Sequence, residues 1–494
     1  MSSSKNIFSQ QCPELIRLFE HAGALEKVLC VPIDYAKETH VALCCNGLGN
    51  ILKQSFPVHN TPEGVEYLLA MLENIRKKHF IAKGHVILGG EECGTFADNF
   101  MHALIGHGYL VFLVNAHRAK LHRENMKAST DSLDLLGIAS VLLSRQGRLL
   151  RISDTEQLQF LIRHRHGMVQ ESTALGNKIH ALTDQLFPGF LCPQKSGIPA
   201  FCDVGLELMG EAFSPKQVAH RQLKSLAGQL RRGGVQHPEQ AAAQLKQYAT
   251  TVLPPINSRV EVLQEMLADQ VHLLMGLREA ILRSERSIGR EFAKHSGALA
   301  TTIRGTGIVL AAQLTGELGE LRNFHPAPIC SYAGIAPRIE QSGGPGKEPA
   351  TFGCPRNYNH LLKDTVMQLA QHIGRHGPED LMRDYARRES RQQNADFAMA
   401  RRYIRIYLHL VRHGCIYMPE NLRGDSSEAE RAAYYLKSWP LLLRKWKRVG
   451  AAKEAFDINN PLGAWCHCIE DLYKIKLPLQ IKETKARQAN TSLS

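Results

Sequence analysis

Two carboxylates stand close together in the stretch STDSLDLLGIA, residues 129–139, where Asp131 and Asp134 are three positions apart. In the first turn of a helix this spacing projects both side chains from one face, which suits a cation that takes oxygen ligands. The alternative is an ordinary helix start, because acidic residues favour the positive end of the helix dipole and Thr130 is a plausible N-cap. A cation site therefore requires further carboxylates elsewhere in the chain.

Two further acids end segments that are predicted to be strands. Asp34 closes KVLCVPID, and Glu91 closes HVILGGE. Sites form at the carboxyl ends of strands in an open α/β sheet, although Asp34 also suits a turn, and Glu91 or its neighbour Glu92 also suits a solvated loop. If the four acids converge, they form a site for two divalent cations acting at a phosphodiester. Mg²⁺ is the expected ion, because all of the ligands are oxygen atoms.

The elements around these acids follow a definite order. Short apolar stretches, two of them separated by the turn GLGN, predict a meander of three strands at 27–34, 40–45 and 51–58. Thr61 and Pro62 then open a helix, and further strands and helices alternate. This order predicts an α/β fold with a ribonuclease H-like core. Pro32 opposes the prediction, because the first strand is central in that core and proline removes a ladder hydrogen bond, so a bulge is the expected remedy.

Composition limits the class of protein. The chain has 494 residues, enough for two to four domains, and a formal net charge of +13, which favours a polyanionic partner. The 12 cysteines are scattered and form no zinc-type spacing, which suits a reducing cytosol. Because no stretch is apolar enough to span a membrane or act as a signal peptide, we expect a soluble cytoplasmic protein.

Four stretches resemble a known family: IDYAKETHVA, EECG, LVNAHRAKLHRE and STDSLDLLGIA. They are similar to blocks of the DEDD transposases of bacterial insertion sequences, the bridge-RNA-guided recombinases, which are related to the pilin-gene inverting recombinase. The family's four acids fall on Asp34, Glu91, Asp131 and Asp134. The resemblance implies a RuvC-like nuclease domain in which these acids bind Mg²⁺ and catalyse strand cleavage. Ser129 stands where the family commonly has a basic residue, which weakens one backbone contact.

The resemblance extends to the second half of the chain. The stretches IRGTGIVLAAQLTGELGELRNF and ICSYAGIAPRIEQSGG are similar to the family's C-terminal transposase domain. In that block a serine attacks the DNA phosphate and forms a phosphoserine intermediate, and the motif puts this serine at Ser342. Arg338 would contact the phosphate, and the four acids would supply the metal ion or base that activates the hydroxyl. Without the resemblance, Ser342 would be interpreted as an ordinary turn residue, because glycines follow it. Ser331 is the alternative candidate for the nucleophile.

Several other residues are predicted to bind nucleic acid. They are Arg118 and Lys120 in the third block, Gly305 and Gly307 before a helix, and Arg401, Arg402 and Arg405 in a basic stretch. Glycines before a helix let backbone N–H groups approach phosphate, although a plain loop is the alternative. Tyr403 and Tyr407 lie among the arginines and are predicted to stack on bases, whereas an ordinary exposed helix face is the alternative.

The helical material between the matched segments has an apolar stripe. Its residues are Leu263, Leu267, Val271, Leu274, Leu277 and Ile281. This stripe favours either packing within its own domain or a coiled coil between subunits. We expect a homo-oligomer, a dimer that pairs into a tetramer, because recombination must hold two DNA duplexes together.

The predicted protein is a DNA transposase or site-specific recombinase, and the resemblance alone implies a noncoding guide RNA. The predicted parts are a RuvC-like nuclease domain (1–155), a helical or coiled-coil region (156–298), a C-terminal transposase domain with the serine motif (299–385) and a basic helical extension (386–494). Two alternatives stay open. One is a metal-dependent, structure-specific endonuclease that does not rejoin strands, and the other is a nucleic-acid-binding protein without catalysis.

Overall fold

The computed structural model describes residues 11–478, apart from 93, 125–130, 212, 320–324, 337, 341–349, 353–357, 392–393 and 425. At 123–124, 131–132, 257, 338–340 and 350–352 it describes the backbone alone. The chain divides into two compact units, Met1–Ile152 and Ser153–Ser494, and each is treated by itself.

The first unit is a six-stranded mixed sheet with helices. Its strands are β1 Leu29–Asp34, β2 Thr39–Asn46, β3 Ile51–His59, β4 Val86–Glu91, β5 Leu110–Val114 and β6 Arg148–Leu149. Its helices are α1 Pro13–Ala22, α2 Pro62–Lys78, α3 Asp98–Gly106, α4 Ala116–Glu124 and α5 Asp131–Leu143. The sheet order is β3-β2-β1-β4-β5-β6, with β1, β4 and β5 parallel and the other pairings antiparallel. This arrangement confirms the predicted ribonuclease H-like α/β fold.

Alternation along the strands assigns the two faces of this sheet. On β1, Leu29, Val31 and Ile33 pack with α2 and α3, whereas Cys30 packs with α1 and α5. Local signals also hold, since the Thr61 hydroxyl accepts from the Gly64 N–H and caps α2 as predicted. Successive side chains of a strand point to opposite faces of the sheet. The odd-numbered and the even-numbered residues of β1 or β4 therefore face different helices.

Pro32 lies within the central strand without disrupting the sheet. Cys30 pairs with Cys45 and Ile33 pairs with Ala42, so the antiparallel register is the same on both sides of the proline. The expected bulge in β1 is therefore wrong, and the register shifts lie in the β2–β3 pairing instead. Pro32 also keeps its place opposite Gly89 in the parallel pairing. A proline is tolerated here because only one ladder hydrogen bond is lost.

The second unit is mostly helical. Its first helices are α6 Glu156–Leu186, α7 Pro193–Ser196, α8 Asp203–Gly210, α9 Pro215–His220, α10 Leu223–Arg232, α11 Pro238–Thr251 and α12 Asn257–Phe292. A hairpin of β7 Arg338–Glu340 and β8 Ala350–Phe352 follows α13 Ile308–Leu318 and α14 Pro326–Tyr332. The last helices are α15 His360–His376, α16 Glu379–Ser390, α17 Ala395–His413, α18 Glu428–Arg448, α19 Ala452–Ala455 and α20 Pro461–Tyr473. Within the described ranges, no helix is both long and apolar enough to cross a bilayer.

Two apolar cores stabilise the second unit. One joins the end of α6, the helices α8 to α11 and the first half of α12, and the other joins the end of α12 to α13–α20. Leu267, Val271 and Leu274 of the apolar stripe on α12 are at most 2% exposed in the first of these cores. These three side chains therefore pack within their own unit. The division of the chain into four parts stays a prediction.

A half-buried lysine, Lys445, links α18 to the segment before α13. Its ammonium donates to the carbonyl oxygens of Thr301, Ile303 and Thr306 at 2.8, 3.2 and 2.9 Å from Lys445 Nζ. Burial lowers the pKa of Lys445 to about 8. The Thr301 carbonyl lies at the end of a 3₁₀ turn, Ser296–Thr302, where backbone acceptors lack intrahelical donors, and the lysine supplies a donor there. The Ile303 carbonyl also accepts the Thr306 N–H, at 3.1 Å.

Replacing this lysine should destabilise the unit. We expect Lys445→Met to lower the free energy of unfolding by about 2–3 kcal/mol, because methionine keeps the apolar stem but takes this donor away from the carbonyls of Thr301 and Thr306. Thermal and urea unfolding of the full chain measure the change. Lys447→Met is the control, since Lys447 is exposed two residues later and its replacement should cost less than about 0.5 kcal/mol. Equal losses in the two variants would contradict the role of the buried ammonium.

Candidate active site

The parallel pairing of β1 and β4 brings two of the predicted acids together. Leu29 pairs with Val86 and Pro32 pairs with Gly89. Continuing this register by two residues sets Asp34 beside Glu91, and each is the last residue of its strand. Neighbouring strands lie about 4.8 Å apart, so the two acidic residues are side by side at the carboxyl edge of the sheet.

Both acids face the side of the sheet that α5 covers. Asp34 lies four residues after Cys30 on β1, and Glu91 lies four residues after Ile87 on β4, so each acid is on the same face as that core residue. Both core residues pack with α5. A Cβ added at Gly89 would meet the Leu142 side chain of α5 at 3.1 Å, which confirms this assignment. Asp34 and Glu91 are half-buried, and the Glu91 Oε1 atom is buried.

An aromatic cluster supports the backbone next to these acids on the opposite face. The Tyr35 ring packs so closely on Gly90 that an added Cβ would lie 2.4 Å from it. The buried His40 accepts the Ala36 N–H at Nδ1, at 3.1 Å, and its ring packs edge-on against Phe100. Burial lowers the pKa of His40, which favours the neutral ring that can accept this hydrogen bond. Sequence analysis missed this support, because a single histidine on a strand carries no distinguishing pattern.

Geometry separates Glu91 from its neighbour Glu92. The Glu92 side chain is 69% exposed and pairs with Arg148 at 3.1 Å. An exposed ion pair of this kind is typical of a solvated surface. The choice of Glu91 as the candidate metal ligand therefore agrees with its position, whereas Glu92 points away from the face that α5 covers.

Asp131 and Asp134 lie in the first turn of α5. They precede the buried residues Leu135 and Ile138 by four positions each, so they occupy the stripe of the helix that packs on the sheet. Asp134 is half-buried, whereas the Asp131 side chain and the proposed cap Thr130 lie outside the described residues. Among the side chains that are described, no group of three His, Cys, Asp or Glu residues is close enough together to hold a metal ion.

The serine motif follows α14 in the second unit. Ser342 belongs to residues 341–349, between β7 and β8, and lies outside the described residues; the Arg338 side chain does too. Ser331, the rival nucleophile, is exposed in the last turn of α14.

A polar network holds the two ends of the segment that carries Ser342. The Asn359 backbone N–H donates to the Tyr332 carbonyl at 2.9 Å, and its side-chain amide donates to the Tyr332 hydroxyl at 3.0 Å. The same amide donates at 2.7 Å to Glu317, whose side chain is 1% exposed. Arg163 of α6 makes a bidentate pair with Glu317 at 2.8 and 3.1 Å and thereby links α6 to this network. The ends of this segment are thus tied together at residues 332 and 359.

Comparison with protein families matches two segments of the chain. Residues 31–188 match a DEDD transposase model of the IS110 type, and residues 297–386 match the transposase IS116/IS110/IS902 family. Together the matches cover half of the chain. The chain belongs to the IS110 transposase family. A search of curated proteins found no match to the chain.

The family assignment covers most of the candidate site of this IS110-family transposase. The first matched segment contains all four acids, and the second contains Ser331, Arg338 and Ser342. As a transposase, the protein acts on DNA substrates by strand cleavage and transfer. DEDD transposase domains generally depend on a divalent metal ion. Paired carboxylates at a strand edge fit this requirement, because hard divalent cations take oxygen ligands.

The transposase presents some of its predicted nucleic-acid-binding residues at the surface. Lys120 of α4 is exposed, whereas Arg118 is half-buried and donates to the Gln146 side chain at 2.6 Å. Gly305 has φ +89°, and a Cβ there would lie 3.1 Å from the His372 carbonyl oxygen, so packing explains this glycine. Gly307 precedes α13 in an extended conformation with open space around its Cα. Binding of nucleic acid by these four residues stays a prediction.

The basic stretch on α17 divides into a core face and a surface face. Tyr403 is 0% and Tyr407 is 2% exposed, and their hydroxyls contact Thr306 and Thr315 in the core. The prediction that these tyrosines stack on bases is therefore wrong, because a helix of period 3.6 turns both rings inward. Arg405 is exposed, and Arg401 and Arg402 are half-buried. Arg387 and Arg388 of α16 join them, although sequence analysis singled out only the general basic character of that stretch.

Proposed function

We propose that this transposase cuts and rejoins DNA strands with a metal site formed by Asp34, Glu91, Asp131 and Asp134 and with Ser342 as the nucleophile. The observation that carries the proposal is the register that sets Asp34 beside Glu91 on the face covered by α5. The i, i+3 pair of acids begins that same helix. Four carboxylates around one edge of a sheet suit phosphodiester chemistry better than a structural role.

Mg²⁺ is the ion that these residues would hold. When bound, a divalent ion stabilises the negative charge that develops on phosphate oxygens during strand cleavage. The ligand set supports this choice, because carboxylates suit Mg²⁺ and no histidine or cysteine is part of the set. The chain itself contributes the fixed spacing of Asp34 and Glu91. The glycines beside Glu91 allow close packing on both faces, of α5 at Gly89 and of the Tyr35 ring at Gly90.

Ser342 would act by covalent catalysis. Its hydroxyl loses a proton and attacks the phosphorus atom, one P–O bond of the strand breaks, and the leaving strand oxygen takes up a proton. In the reverse step a strand hydroxyl attacks the phosphoserine and releases the serine. Because a phosphodiester bond is exchanged for an equivalent ester, rejoining requires no ATP. The tie between Tyr332 and Asn359 supports this role, because it joins the two ends of the segment that carries Ser342.

The guide RNA rests on the family resemblance alone, and the oligomeric state rests on the need of recombination to hold two DNA duplexes together. We propose a noncoding RNA partner and a homodimer that pairs into a tetramer, in the bacterial cytoplasm. The burial of Leu267, Val271 and Leu274 within their own core gives the coiled coil no support from those residues. Other apolar side chains of α12, Val262 and Leu273, are exposed, at 57% and 58%.

The affinity of the full chain for nucleic acid should fall steeply with salt. The net charge of +13 and the exposed arginines of α17 motivate this expectation. Each phosphate contact releases counterions and contributes a slope of about 0.9 to a log–log plot of the association constant against salt concentration. Titrations between about 50 and 200 mM salt measure the slope. A flat dependence would exclude a large basic footprint.

One experiment separates the proposal from its alternatives. Nucleic acid that copurifies with the protein is sequenced, and labelled DNA is then incubated with protein and Mg²⁺ and resolved on a denaturing gel. A defined noncoding RNA with exchanged strands and a covalent adduct supports the guided recombinase. Cleaved ends without an adduct favour a hydrolytic endonuclease. No cleavage under any condition favours a binding protein in which the acids are structural.

A further inference from the structure

An arginine-rich cleft lies between α16 and α17. Its charged lining consists of Asp384, Arg387, Arg388, Arg401, Arg402 and Arg405, and its volume is about 450 Å³. Five guanidinium groups thus surround one carboxylate. A concentration of like charge of this kind is unfavourable unless an anion is close, so the cleft selects for negatively charged ligands.

Asp384 organises three of these arginines. It is 7% exposed, and it pairs with Arg387 at 2.6 Å, with Arg402 at 2.7 Å and with Arg388 at 3.3 Å. Burial raises the pKa of Asp384, but the hydrogen bonds from Arg402, Arg387 and Arg388 outweigh it and lower the pKa to about 2. The carboxylate is therefore charged at neutral pH and holds guanidinium groups of two helices in one orientation.

The other two arginines retain donor capacity. Arg401 uses one N–H to donate to the Ile335 carbonyl at 3.1 Å, and Arg405 is exposed. No carboxylate in the described part of the chain forms an ion pair with either of them. A guanidinium presents five N–H donors in a planar fork that matches the oxygens of a phosphate group. One carboxylate cannot neutralise five such groups, so the cleft keeps a net positive charge.

The composition of the lining points to the backbone of a nucleic acid. Its remaining lining residue is Ala398, so the cleft has no aromatic ring on which a base could stack. Arg401 also joins the cleft to Ile335, which lies three residues before β7 and seven before Ser342. The cleft thus adjoins the segment that carries the proposed nucleophile. Its five arginines lie beyond residue 386, where the second family match ends.

We propose that this cleft binds phosphodiester groups of a nucleic-acid strand, without regard to base sequence, next to the serine segment. The proposal rests on the proposed function for its choice of polymer. DNA and RNA share the recognised group, and the test distinguishes them. Asp384 acts as a positioning residue that holds Arg387, Arg388 and Arg402 ready for the phosphate oxygens.

The test measures binding by the full chain in a Ser342→Ala background, so that strand cleavage plays no part. Arg405→Gln is compared with wild-type Arg405 on duplex DNA and on single-stranded RNA, each in two unrelated sequences. We expect the slope of log affinity against log salt to fall by about 0.9 on duplex DNA or about 0.7 on a single strand. Arg405→Lys should retain the slope, because it keeps the charge. Arg259→Gln, at an exposed position on α12, should leave the slope unchanged.

The slopes of the variants show whether the cleft binds phosphodiester groups. A change on DNA alone or on RNA alone supports the cleft and identifies which polymer it binds. An unchanged slope in Arg405→Gln, an equal change in Arg259→Gln, or a loss confined to one base sequence would overturn the proposal. Failure of the proposed chemistry is seen separately, as the absence of an adduct in the chain that retains Ser342, and it leaves these binding measurements intact.

Discussion

Asp34→Asn should reduce metal-dependent strand cleavage by at least about a thousandfold while leaving DNA binding close to that of the unmodified chain. Asparagine has the shape of aspartate but lacks the charge that binds a divalent cation, and losing one transition-state stabiliser commonly costs about 10²–10³ in rate. Loss of a metal ligand removes more than one such interaction. Cleavage of labelled DNA across a Mg²⁺ titration measures the effect, and a binding assay without metal verifies that the protein still binds DNA.

The neighbouring glutamates supply a matched pair for the same assay. Glu91→Gln should behave like Asp34→Asn, because the β1–β4 register sets the two carboxylates side by side. Glu92→Gln should retain cleavage within about twofold, because Glu92 is exposed and pairs with Arg148 on the surface. Wild-type cleavage in Asp34→Asn or in Asp131→Ala would refute the four-acid site. Equal loss in Glu91→Gln and Glu92→Gln would indicate a general electrostatic effect instead.

Ser342→Ala should abolish the covalent protein–DNA adduct and all strand rejoining. Removing an essential nucleophile commonly lowers the catalysed rate by about 10⁶, so no adduct should remain detectable. Ser331→Ala is the control, because Ser331 is exposed on α14 and lies eleven residues earlier in the same matched segment. Denaturing gel electrophoresis with labelled DNA resolves the adduct in each variant. An adduct that persists in Ser342→Ala and disappears in Ser331→Ala would reverse the assignment of the nucleophile.

Ser342→Cys extends this prediction. A thiol is a strong nucleophile and would form a P–S bond to the DNA phosphate, whose stability differs from that of the P–O bond of a phosphoserine. We expect an adduct with altered stability and poor rejoining. Cleavage at the wild-type rate with free hydroxyl ends in Ser342→Ala would instead favour hydrolysis by the metal site alone.

The local elements of the first unit follow from the sequence. Short apolar runs predict β1 to β5. Thr61 with Pro62 predicts the start of α2, because a hydroxyl cap and a fixed φ act within a few residues. The short strand β6 was not predicted, since two residues carry no periodicity. The ends of β1 and β4 also follow from the sequence, so Asp34 and Glu91 could be chosen before their register was known.

Other features depend on contacts between residues far apart in sequence, and only the tertiary structure decides them. Local pattern places Glu91 at the end of β4 but leaves open whether Glu91 or its neighbour Glu92 is a solvated residue, and the exposed pairing of Glu92 with Arg148 decides this. Tyr403 and Tyr407 resemble surface aromatics among arginines, yet both rings are buried in a core of the second unit.

The arginine cleft shows the same limit. The sequence determined that α16 and α17 are basic, because charge is a local property of the chain. It could not determine that Asp384 pairs with Arg402 at 2.7 Å across two helices, since that distance depends on how the helices pack. The sequence thus specified the residue types, the strand ends and the family of this protein. Tertiary packing decided which side chains face the core, which face solvent and which meet, because burial and ion pairing are properties of neighbours in space.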